Sequence, residues 1–107
     1  MIRHVVIWKL KNPADAPRFK ALPDSCRALA VGTLEFEVGI CARGFEANAD
    51  VVLVCTFTNA EALAAYQTHP HHQAAKLQLG PLSKSRRVLD YHIAQAQHDA
   101  AAVAPAT

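Results

Sequence analysis

Three of the six histidines in this 107-residue chain fall within four positions. The segment AYQTHPHHQAA holds His69, His71 and His72, split by Pro70 and preceded by Tyr66. Imidazole changes charge near neutral pH, so such a group can act as a general base, a proton shuttle or a metal ligand. A phenol beside it can donate a hydrogen bond to charge developing on an oxygen. If Pro70 opens a helix, His72 lies in its first turn, where the positive end of the helix dipole disfavours imidazolium. Burial pushes the same way, and a neutral imidazole is what a general base needs. These residue types suit Tyr66 and His72 to acid–base work, with Asp90 expected to hold the second nitrogen of His72 and fix its tautomer. His69 and His72 would share a helix face as metal ligands, but Pro70 interrupts that face. With no His-Glu-x-x-His, paired-cysteine or calcium-loop pattern, neither a metal nor an organic cofactor is expected. The plainer alternative is a His-Pro helix start with Tyr66 packed beneath the sheet.

Composition narrows the setting. Apolar residues make up 51% and charged residues 19%, as in an ordinary globular domain, and the length suits a single one. A net charge of +2 does not suggest a nucleic-acid partner. Lys84, Arg86 and Arg87 are the one basic cluster, and read as a solvated strand edge. Cys26, Cys41 and Cys55 are odd in number and widely spaced, which argues against a disulfide framework. Cys41 and Cys55 lie in apolar runs and are expected to act as small buried hydrophobes. No run approaches the roughly 20 apolar residues of a membrane span. MIRHVVIWKLKNP has no small-residue cleavage site, so a cytoplasmic protein is expected.

Four strands and two helical stretches must position the cluster. IRHVVIWKLK places Ile2, His4, Val6, Trp8 and Leu10 on one face, with Val5 and Ile7 on the other. TLEFEVGICA alternates Leu34, Phe36, Val38 and Ile40 against Glu35 and Glu37. DVVLVCTFT is apolar on both faces, and SRRVLDYHI supplies a fourth strand. Between the first two strands, Phe19, Leu22, Cys26 and Leu29 have helical spacing, with a kink or split at Pro23 and a stop at Gly32. Thr58 and Glu61 form a capping box that starts a helix near Asn59 or Ala60, and Pro70 breaks it or opens a second. The order β-α-β-β-α-β is the ferredoxin-like arrangement, whose helices cover one sheet face. Strands apolar on both faces need cover on the second face as well. The expected architecture is an α+β homodimer whose two sheets enclose a barrel. Residues 1–93 form the domain, and 94–107 an alanine-rich tail whose composition permits helix.

These segments resemble the stress-responsive α/β-barrel, or Dabb, family. The likeness runs from RHVVIWKLK through FEVGICARG and DVVLVCTFTNAEALAAYQTHPHHQAA to RRVLDY, with Tyr66, His69, Pro70 and His72 as its most specific signature and His4 beside it. The resemblance implies a ferredoxin-like fold dimerised into an α+β barrel. One plant member is a polyketide (olivetolic acid) cyclase that closes a poly-β-keto chain by aldol chemistry without metal or organic cofactor. By motif its catalytic pair falls on Tyr66 and His72, and His4 and Asp90 match positions that line or support the pocket. Trp8 and His69 are placed at the pocket too. His71 stands where relatives commonly carry a small residue. The expected partners are a second copy of the chain and a small apolar or aromatic molecule. The alternatives are a non-catalytic stress or ligand-binding module and a structural oligomer.

Overall fold

A computed structural model describes residues 1–94 and shows a two-layer α+β fold. In chain order the elements are β1 (Ile2–Leu10), α1 (Ala16–Asp24), β2 (Thr33–Ile40), β3 (Val51–Phe57), α2 (Ala60–Thr68), α3 (Pro70–Leu79) and β4 (Ser83–His92). The sheet order is β2-β3-β1-β4, with every neighbouring pair antiparallel. This is the ferredoxin-like arrangement, with the second helical stretch broken in two at Pro70. The tail assigned to 94–107 lies, beyond Ala94, outside the described residues.

Alternation along the central strands decides what the helices cover. Ile2, His4, Val6, Trp8 and Leu10 of β1 are buried beneath them, as are Val51, Leu53, Cys55 and Phe57 of β3. Phe19 of α1 and Tyr66 of α2 complete this core. Val5, Val52 and Val54 stand half-buried on the opposite face, where Ile7 is 40% and Leu89 64% exposed. Among the described residues no helix covers this apolar sheet face. No helix among the described residues is long and apolar enough to cross a membrane.

α1 stops at Asp24, one residue after Pro23, which has no N–H to continue the ladder, so the helix is split there as expected. Four local expectations are corrected. Phe19 and Cys26 are still buried, but Gly32 is not a helix stop. It sits at φ +94° just before β2, where its carbonyl accepts the Thr58 N–H at 2.9 Å. Leu34 leaves the alternation of β2, because a bulge between Thr33 and Glu35 makes it the extra residue and exposes it. The cap of α2 is Asn59 rather than Thr58: its side chain accepts the Ala62 N–H at 2.9 Å. Cys41, just past β2, is exposed, whereas Cys26 and Cys55 are buried.

Gly32 provides a direct stability test. A Cβ there would meet Thr58 Oγ1 at 2.6 Å and Ala62 Cβ at 3.1 Å, in a backbone region L-residues avoid. Gly32→Ala is expected to destabilise the fold by about 1–3 kcal/mol. Urea unfolding measures this, and an unchanged midpoint would contradict the strained geometry.

Candidate functional site

The break between α2 and α3 creates the site. Pro70 has no N–H, so the Tyr66 carbonyl accepts the His69 N–H at 3.3 Å instead. His69 is extended (φ −61°, ψ 134°); it ends α2 and caps α3, its Nδ1 accepting the His71 N–H at 3.0 Å. That diverts the His71 N–H from the Gln67 carbonyl, which a continuous helix would have paired with it. The freed carbonyl accepts His72 Nδ1–H at 3.0 Å and the Gln73 side-chain amide at 2.6 Å.

This contact sets the chemistry of His72. With Nδ1–H committed to a carbonyl, Nε2 is the nitrogen left to take a proton. Burial holds the imidazole below its ordinary value of 6.5; the Gln67 carbonyl opposes that, while Lys76, His4 and Arg86 reinforce it. Asp90 was expected to fix this tautomer, and it does not. The β1–β4 register sets Asp90 opposite His4, and its carboxylate accepts from His4 Nδ1. His4 Nε2 is therefore the free nitrogen of that ring.

Tyr66 is the hub. Its ring centroid lies 4.6 Å from that of His72 and 6.1 Å from that of His4. Phe57 at 5.2 Å and Phe36 at 6.0 Å pack around the same ring. Tyr66 is 1% and His4 2% exposed. Burial raises the Tyr66 phenol far above its usual range, so it keeps its proton and has an O–H to donate. Neither the Tyr66 hydroxyl nor His4 Nε2 has a hydrogen-bond partner among the described residues, yet no buried side-chain polar atom there is stranded. Both atoms therefore open onto the cavity that their residues line.

That cavity holds about 380 Å³ between the sheet and the helices. Val6, Trp8, Leu53, Ala75 and Leu79 form apolar walls, and the rings of His4, Tyr66 and His72 bring polar atoms among them. Trp8 stands edge-on to Phe19, with centroids 5.1 Å apart. His4, Trp8, Tyr66 and His72 thus meet in one space, with Asp90 behind His4. His69 does not: it is spent on the α3 cap and does not line the cavity. His71 is exposed, its Nε2 2.8 Å from Ser25 Oγ. Among the described residues no group of three or more His, Cys, Asp or Glu is placed to hold a metal ion.

Sequence reasoning missed two features of this site. The Gln67 carbonyl has no side-chain signature and becomes a partner only because Pro70 interrupts the ladder. The cavity mouth is the other: Lys76, Lys84 and Arg86 line it, although the last two had been read with Arg87 as a strand edge. Alternation along β4, which sets Arg86 and Arg87 on opposite faces, was the available signal.

No curated protein matches the chain. Among solved structures it is similar to a dimeric ferredoxin-like protein from Jannaschia sp. CCS1, with 27% identity, 86% of this chain and 98% of that one covered, and a TM-score of 0.70. It is similar to a dimeric protein of ferredoxin-like fold from Bacteroides fragilis, with 26% identity, coverage of 86% and 95%, and a TM-score of 0.72. SnoaB, a cofactor-independent oxygenase from Streptomyces nogalater, shares the fold at 16% identity, coverage of 88% and 93%, and a TM-score of 0.70. Residues 2–93 match the stress responsive A/B barrel domain, Dabb, along nearly the whole sheet and all its helices, and the chain belongs to that family.

Proposed function

We propose that this protein is a homodimer whose cavity binds a small apolar or aromatic molecule and turns it over by cofactor-free acid–base chemistry of the aldol-cyclisation type. The observation behind this reading is the convergence of Tyr66, His72 and His4 in one apolar cavity, with the histidine tautomers set by Gln67 and Asp90. His72 Nε2 takes a proton from the carbon beside a substrate carbonyl. The Tyr66 hydroxyl donates to that carbonyl oxygen as it gains enolate charge. The carbanion adds to a second carbonyl of the same molecule, forming a C–C bond, and the proton returns from His72 to the new alkoxide. His4, braced by Asp90, offers a second polar contact to the bound chain. SnoaB works without a cofactor on the same fold, which suits a reaction run by side chains alone. The Jannaschia and Bacteroides proteins are dimeric, and the open apolar face gives this chain reason to pair. Its three free cysteines fit a reducing, cytoplasmic setting.

Native mass spectrometry of freshly purified protein, alone and with a panel of aryl ketones and phenols, tests the reading. The expected result is a dimer that carries one small organic mass per subunit. A monomer would overturn the pairing. A dimer that takes up nothing would overturn the ligand site and leave a structural oligomer.

A further inference from the structure

We propose that the cavity selects anionic ligands, with Lys76, Lys84 and Arg86 at its mouth holding a carboxylate or phosphate while the apolar body of the molecule fills the interior. This rests on the binding reading above and adds the substrate class. The three cations come from two elements, Lys76 from α3 and the others from β4, and all three are exposed while lining the cavity. Among the described residues no aspartate or glutamate lines it, and none of the three makes an ion pair. Without them, the chain keeps eight Lys and Arg against nine acidic residues, so the mouth is not a sample of a generally basic surface.

Strand geometry separates this mouth from ordinary edge protection. Arg86 pairs with Trp8 and shares its helix-side face, whereas Arg87 pairs with Ile7 on the open face. Lys84 is the extra residue of a bulge, between the pairs Leu10–Ser83 and Lys9–Ser85. An edge needs only a charge to discourage pairing, and Arg87 supplies one. A second effect points the same way: Lys76 and Arg86 both depress the protonation of His72, so their field reaches the polar groups inside. Uncompensated cations around a low-dielectric cavity concentrate anions there.

Trp8 is the only tryptophan and lines the cavity, so its fluorescence reports occupancy. The probes are para-butylbenzoate, its neutral amide and para-butylphenyl phosphate. The benzoate is expected to bind at least ~10-fold tighter than the amide. That preference should shrink as ionic strength rises from about 0.05 M to about 0.5 M. It should also collapse in the double variant Lys84→Gln, Arg86→Gln, which loses far more affinity for the benzoate than for the amide. Phosphate binding tighter than benzoate assigns a phosphorylated headgroup and weaker binding a carboxylate; either upholds the anion site. Equal affinity for acid and amide, or a preference intact in the double variant, overturns the inference and leaves the binding reading standing. Failure of all three probes to quench Trp8 overturns the binding reading itself.

Discussion

Replacing His72 with alanine is expected to slow proton abstraction by about 10²–10⁴-fold, the range a positioned general base supplies. Deuterium exchange into the methyl group of an aryl methyl ketone, followed by NMR in heavy water, reads that step without requiring the natural substrate. Tyr66→Phe removes the only atom of the ring placed to meet an enolate oxygen and should cost about 10²–10³-fold. It keeps the packing against Phe57 and Phe36, so stability should change little. The double variant should lose scarcely more than His72→Ala, because the two groups act in one transition state. The pH profile carries the sign of the His72 shift. Burial, with Lys76 of α3, His4 of β1 and Arg86 of β4, holds the imidazole below 6.5, so it is neutral and competent at pH 7. Exchange should therefore fall only as pH drops below 6.5. The same depressed value means that acidification, by charging the unfolded chain first, also draws stability away below that pH. Exchange that is unaltered in both single variants, or an acid limb above 6.5, would remove His72 from the chemistry.

Much of this arrangement is visible in residue order. The even-numbered face of β1 declares itself through His4, Val6, Trp8 and Leu10, and the ferredoxin-like order follows from where apolar runs and helical spacings alternate. The proline break that brings Tyr66 and His72 together is equally local, because a residue without an N–H interrupts the ladder wherever the chain goes. Partner choice is not local. Asp90 meets His4 rather than His72 because β4 lies beside β1 in that register, a fact of strand order rather than of spacing. The tautomer of His72 rests on a backbone carbonyl, which every residue possesses and no pattern marks. Leu34 follows the alternation rule on paper but is displaced by a bulge one residue from the strand end. Periodicity therefore sorts residues onto faces, and register then decides which of them touch.

A single aspartate on the open sheet face is expected to split the proposed dimer. Val54 sits in the central row of that face, beside Val5 and Glu37, and Leu89 continues the row beyond Val5. Above and below lie Ile7 with Val52 and the row of Tyr91, Arg3, Thr56 and Glu35. That polar row is already satisfied within the chain. The Arg3 guanidinium donates to Tyr91 Oη and Thr56 Oγ1, each at 3.3 Å, and to Glu35 at 3.4 Å, while Thr56 donates to Glu35 at 2.9 Å. A second sheet can therefore cover the central strands β1 and β3 without stranding Arg3 or Glu35, while the charges of Glu37 and Arg87 lie exposed on the outer strands β2 and β4. Val54→Asp strands a charge in each copy. Burying an unpaired carboxylate costs about 3–5 kcal/mol, more than a hundredfold in the dissociation constant for each copy. Sedimentation velocity at micromolar protein should show the mass halve, with circular dichroism unchanged, since in the monomer this side chain is part-exposed and its charge can stay in water. Val54→Thr, which adds no charge, should remain dimeric. If Val54→Asp sediments as the native protein does, the sheets do not meet through this face, and the apolar residues along β1, β3 and β4 must be covered in some other way.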